Sequence, residues 1–197
     1  MASVSKMDVS ASLALALGED PFYRSITVSC TADEERHSIL SQYFALAMTE
    51  AEGRGEVQRA GSVGAALWIT DEIGQAAAGD LSSHRKRELR QLLGPAGFGN
   101  YQSICAGMDS KVPDSLDGSW YLSILGVHPD ARGQGLAHTL LERTLQRADH
   151  LNKSTYLETF NPLSLAFYRR LGFTNKLSLF EELTARPYWL LWRDPRN

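Results

Sequence analysis

Between Gly126 and Ala137 the chain reads Gly-Val-His-Pro-Asp-Ala-Arg-Gly-Gln-Gly-Leu-Ala. An apolar run, Trp120 to Leu125, precedes it, and a run with helical periodicity, Leu136 to Ala148, follows. A strand that ends in a glycine-rich turn and restarts as a helix leaves main-chain N–H groups unpaired at the helix start. Those donors, together with the positive end of the helix dipole, suit an anion such as a diphosphate. Gly133 and Gly135 have no Cβ to hold a phosphate off the main chain, and Arg132 adds a fixed positive charge at the lip. Two common phosphate motifs are excluded. The three-glycine dinucleotide fingerprint is absent, and no Gly-Lys-Ser/Thr follows as in a P-loop.

The segment resembles the Arg/Gln-x-x-Gly-x-Gly/Ala signature of the GNAT N-acetyltransferase superfamily, with Arg132, Gly135 and Ala137 at its three marked positions. A second stretch extends the resemblance. Tyr156-Leu157-Glu158-Thr159-Phe160-Asn161-Pro162 leads into Ala166-Phe167-Tyr168-Arg169-Arg170-Leu171-Gly172-Phe173, similar to the family's fifth strand and the tyrosine helix after it. The resemblance covers Trp120 to Phe173 and runs on to Trp192. Shorter cues, Gly18 to Phe22, Ala65 to Trp68, Trp120 to Leu122 and Leu157 to Thr159, look like the puromycin N-acetyltransferase branch.

The resemblance implies a mixed, mostly antiparallel α/β sheet flanked by helices, splayed between its fourth and fifth strands. It implies acetyl-CoA as cosubstrate and no metal. The cofactor would meet Leu125, Gly126, Val127, Arg132, Gly133, Gln134, Gly135, Leu136 and Ala137, with Asn161 and Phe167 along the CoA arm. One departure is visible. The family usually opens with a strand, and only Ser3 to Met7 is available for it here.

Composition narrows the classes. A chain of 197 residues with 43% hydrophobic and 22% charged residues fits one globular domain. Its net charge of -3 gives no ground for a nucleic-acid partner. His84-Arg85-Lys86-Arg87 reads as a solvated helix face. Cys30 and Cys105 make no disulfide framework and read as buried small hydrophobes. The run Ser12 to Leu17 is too short for a signal peptide, and no apolar run spans a bilayer. The expectation is a cytoplasmic enzyme without a membrane partner; a homodimer stays open.

Pattern and punctuation predict helices over 12–17, 33–51, 82–93, 98–108 and 136–148, and a turn at Asp20-Pro21-Phe22. Strands are expected over 56–59, 64–70, from Trp120, from Thr155, over 174–181 and over 187–193. The reading is one domain over 1–197, with a cofactor core at 119–173, acceptor-side elements at 8–110 and closing strands at 174–193.

Acetyl transfer to an amine needs a neutral amine, a polarised thioester carbonyl and a proton for the departing thiolate. A backbone N–H near Leu125 to Val127, freed by a bulge at Gly126, is expected to hold the carbonyl. Tyr168 is the candidate general acid. Glu158 shares a strand face with Tyr156 and is a candidate base, an anchor for a charged acceptor, or an ion-paired sheet residue. Ser123 and His128 are weaker candidates. Asp20, Phe22, Tyr23, Trp68, Trp120 and Tyr121 form the expected acceptor site, suited to an amine with an apolar body. The leading expectation is small-molecule N-acetylation by direct attack in a ternary complex. The alternatives are acetylation of a protein amine, or acyl-CoA binding without turnover.

Overall fold

The computed structural model describes residues 8–70 and 72–196. Among the described residues six strands form one sheet: β1 (Gly55–Arg59), β2 (Gly64–Ile69), β3 (Trp120–Val127), β4 (Thr155–Thr159), β5 (Asn175–Glu181) and β6 (Arg186–Arg193). Their order is β1-β2-β3-β4-β6-β5. All neighbours are antiparallel except β3 and β4. A parallel pair needs a long crossover, and helix α5 (Leu136–His150) supplies it. Short turns suffice for the hairpins β1–β2 and β5–β6. The expected opening strand at 3–7 lies outside the described residues. Within them the expected splay falls between β3 and β4.

The strands divide two helical layers. Helices α1 (Val9–Leu17), α2 (Pro21–Ile26), α3 (Asp33–Arg54) and α4 (Gln75–Asp109) cover one face, around Leu13, Ile26, Phe44, Leu67, Leu89 and Ile124. On the other, α5 and α6 (Leu165–Arg170) pack over Trp68, Trp120, Leu122, Leu157 and Leu191. Burying each such side chain contributes about 1.5–3 kcal/mol. Among the described residues no helix is long and apolar enough to cross a membrane.

A register shift between Leu67 and Trp68 leaves Ser123 as the extra residue on β3, since Leu67 faces Ile124 and Trp68 faces Leu122. A bulge changes which side each later residue presents. Trp120 and Leu122 therefore face α5, whereas Ile124 joins the α1–α4 side. The bulge expected at Gly126 is thus at Ser123, and Gly126 pairs regularly with Ala65. Gly126 answers to packing instead: an added Cβ would lie 2.6 Å from Leu13 Cδ2 on α1.

One other expectation changes. Asp20-Pro21-Phe22 starts a helix rather than forming only a turn. Pro21 occupies the first helical turn, and the Asp20 side chain accepts a hydrogen bond from Phe22 N, which is a helix start by cap and fixed φ. The helices expected over 82–93 and 98–108 are the two limbs of α4, which kinks where the sequence breaks it: Gly94, with φ of 66° and ψ of 178°, is non-helical before Pro95.

Candidate active site

Strands β3 and β4 pair only from Trp120↔Thr155 to Leu122↔Leu157 and then part. Backbone N–H groups alternate sides along a strand. His128 N donates to Val63 O, and Gly126 is the partner of Ala65, so these groups face β2. The intervening N–H groups of Leu125 and Val127 consequently point into the gap. Strand alternation, and not a bulge at Gly126, sets the direction of these two groups.

At the end of β3 the chain makes a short turn over Pro129–Ala131 and enters α5. Gly133 has φ 79° and Gly135 has φ 77°, the left-handed region that glycine enters without strain. The amides of Gly133, Gln134, Gly135, Leu136 and Ala137 have no main-chain partner among the described residues. The space beside Gly133 and Gly135 is open, so neither backbone is shielded. Arg132 braces this loop: its Nε donates to Val127 O at 3.4 Å and its Nη2 to Ala16 O at 3.1 Å, at the end of α1. The result is an exposed row of donors at a helix N-terminus, an arrangement that holds phosphate oxygens.

From the gap a cavity of about 530 Å³ runs under α2, α3 and α4, bordered by Leu125, Tyr168, Glu158, Tyr121, Asp20 and Phe22. Period-2 alternation puts Tyr156 and Glu158 on its side of β4, and Leu157 on the other, in the α5 core. Tyr121 stacks on Tyr156, with ring centroids 4.8 Å apart, and its hydroxyl donates to Glu158 Oε2 at 3.3 Å. Glu158 Oε1 is enclosed without a partner. Burial, reinforced by the like charge of Asp109, pushes the Glu158 carboxyl up to about 7, against the smaller opposing effect of the Tyr121 hydrogen bond. A carboxyl that titrates there accepts a proton readily near neutral pH.

Tyr168 lies on α6 between Phe167 and Phe173, with centroids at 5.1 and 5.8 Å. Burial holds its phenol above its ordinary range, so it stays protonated. Asn161 is exposed, and its Oδ1 caps the turn over Pro162–Ser164 by accepting from Leu163 N at 3.0 Å. Ser123 Oγ donates to Leu67 O at 3.2 Å, and His128 Nδ1 accepts from Asp130 N at 3.2 Å, so both polar atoms are occupied by the local fold.

Of the expected acceptor residues, Asp20, Phe22, Tyr23 and Tyr121 border the cavity. Trp68 and Trp120 do not. Both are fully buried on the opposite face, in the core beneath α5, where Arg147 lies over the Trp120 ring at 4.4 Å. Each lies one residue out of phase with the strand positions that face the helices α1 to α4, so strand alternation turns it away from the cavity.

Several cavity residues escaped the sequence reading. Arg85 does not join a solvated face. It turns inward, donates to Glu50 Oε2 at 2.8 Å and lies 5.0 Å from the Tyr43 ring centroid. Tyr101, Cys105 and Asp109 project from α4 at four-residue spacing, a helical stripe that could have been read from the sequence. Cys105 is only partly buried, and burial together with the Asp109 charge pushes its thiol up to about 12, which keeps it protonated and a poor nucleophile.

Residues 95–173 match the model of the Acetyltransferase (GNAT) family. Mycothiol acetyltransferase of Beutenbergia cavernae is 39% identical over 75 residues, 36% of this chain and 25% of that protein. The match thus spans about a quarter of that relative's length. Among solved structures, a Corynebacterium glutamicum protein described as histone acetyltransferase HPA2 and related acetyltransferase superposes with a TM-score of 0.64 at 23% identity, over 96% of this chain and 90% of that one. Arylalkylamine N-acetyltransferase 2 of Aedes aegypti superposes with a TM-score of 0.60 at 15% identity, over 100% and 97%. These two likenesses concern the fold. The family match covers the β3–α5–β4–α6 unit, which carries the row of free amides, Glu158 and Tyr168.

Proposed function

We propose that this enzyme transfers an acetyl group from acetyl-CoA to the amine of a small molecule. The observation that carries the reading is one continuous cavity reaching from the free amides of the β3–β4 gap to the buried carboxyl of Glu158. Residues 119–173 would form the cofactor side and 8–110 the acceptor side. The amides of Gly133 to Ala137 fit a pyrophosphate, because unpaired donors and open space coincide there. Acetyl-CoA supplies an acyl group activated as a thioester. The N–H of Leu125 or Val127 would stabilise negative charge on the acyl oxygen. Glu158 would take the proton of the attacking nitrogen as the C–N bond forms. Tyr168 would donate its hydroxyl hydrogen bond to the sulfur as the C–S bond breaks. Its raised pKa, set against about 8.5 for an ordinary thiol, makes that donation a stabilisation of developing charge more than a completed transfer. The high thiol pKa of Cys105 favours direct attack over an acyl-enzyme.

A cavity enclosed by α2, α3 and α4 favours a small acceptor over a protein tail. The aromatic lining agrees with the puromycin N-acetyltransferase-like cues in the sequence, which leave the acceptor itself open. A mass-spectrometric screen of small amines with acetyl-CoA tests the reading. The expected result is acetylated product from at least one amine, lost in Glu158→Gln. A complete absence of acetylated product across apolar-bodied amines overturns it.

A further inference from the structure

We propose that the acceptor carries a second cationic group, held by Asp20 while the reacting amine lies beside Glu158. This deepens the reading above and rests on it.

Asp20 and Glu158 reach the same cavity from different elements, α2 and β4. Neither has an ion-pair partner among the described residues. Arg24, the basic residue nearest Asp20 in sequence, pairs with Glu19 at 3.2 Å. Of the cavity's cations, Arg85 and Arg54 are matched by Glu50 at 2.8 and 2.9 Å, and the Lys86 charge acts on Asp109, whose carboxyl it draws down against the effect of burial. Asp20 and Glu158 are then the cavity carboxyls left with no cation matched to them. A buried carboxylate without a partner is costly, and a ligand cation relieves it.

A capping role alone does not account for Asp20. Its Oδ1 accepts from Phe22 N at 2.9 Å, which satisfies the helix start. Asn or Ser would cap as well without burying a charge. Burial pushes the Asp20 carboxyl up to about 6, against the weaker opposing pull of the Phe22 hydrogen bond, so it is mostly ionised at neutral pH. Phe22 and Tyr23 stand beside it in a T-shaped contact at 5.2 Å, and Tyr43 lies 6.4 Å from Phe22. Aromatic walls around a carboxylate form a site for an ammonium or guanidinium group.

The test compares linear α,ω-diamines with monoamines of the same chain length. Acetylation should favour at least one diamine over its monoamine. Asp20→Asn keeps the cap and removes the charge; it should lower the diamine-to-monoamine ratio of kcat/KM about 10–100-fold, the range of one charge-assisted hydrogen bond. Calorimetry of the same amines on protein saturated with CoA, without an acetyl donor, gives a readout independent of turnover. It should show the same preference and the same loss in Asp20→Asn. Equal handling of diamines and monoamines by the wild type, or an unchanged ratio in Asp20→Asn, overturns the second-cation site and leaves the acetyltransferase reading intact. Asp20-dependent diamine binding without acetyl transfer to any amine would do the reverse.

Discussion

Glu158 occupies a position where a charge is poorly solvated, and that is what suits it to remove a proton near neutral pH. If it is the base, turnover should rise with pH through a midpoint of about 7, because the carboxylate form must be present. Glu158→Gln should flatten that limb and lower kcat more than it raises KM; an intact kcat with a greatly raised KM would make Glu158 an anchor. Asp109→Asn removes a like charge, so the midpoint should move to lower pH. Tyr168→Phe should keep acetyl-CoA affinity and lose turnover by about 10²–10⁴-fold; steady-state rates close to wild type would return Tyr168 to packing. Tyr156 and Glu158 were legible in the sequence because strand periodicity alone pairs them on one face. Arg85 was not. A local run of basic residues reads as solvated, and what turns this one inward is Glu50, which lies 35 positions earlier and becomes its neighbour only through the packing of α3 on α4.

The elements were more legible than their facing. Glycine and proline punctuation marked the break in α4 at Gly94–Pro95 and the entry to α5 at Gly135, because a positive φ or a missing N–H is a local property of the chain. The bulge at Ser123 left no such mark. It is a matter of register between β2 and β3, and it alone moves Ile124 to the face opposite Leu122. Gly126 illustrates the difference. Its identity suggested a bulge, whereas its role is to admit α1. Gly126→Ala should therefore destabilise the protein by about 1–3 kcal/mol through contact with Leu13. Denaturant unfolding measures this, and Leu13→Ala in the same background should fail to add its full cost, since the two side chains compete for one space. Gly135→Asp acts on a different link. It forces a side chain into φ 77° and sets a carboxylate against the proposed pyrophosphate, so calorimetry should find acetyl-CoA affinity strongly reduced.

Across the whole molecule, one face of the sheet is sealed core, and the other combines a core with the cavity. Trp68, Trp120 and Leu157 are sealed beneath α5 and α6, while the helices α1 to α4 stand over a space bordered by carboxyl groups. That division carries a thermodynamic consequence. Glu158 has its folded pKa raised from 4.5 to about 7, so the folded protein binds its proton more tightly than the unfolded chain does. The associated stability is fully present below about 4.5 and is lost as pH rises through about 7. At 1.36 kcal/mol for each pKa unit, the loss above pH 7 is of the order of 3 kcal/mol. Gln keeps the shape and cannot ionise. Glu158→Gln should match the wild type in denaturant midpoint near pH 4 and exceed it at pH 8, with the gap opening between those limits. A variant no more stable than the wild type at pH 8 would mean that the Glu158 charge is already compensated in the folded state. The stabilised variant is also the one expected to lose turnover, because the unpaired buried charge that weakens the fold is the same charge that would accept the proton of the amine.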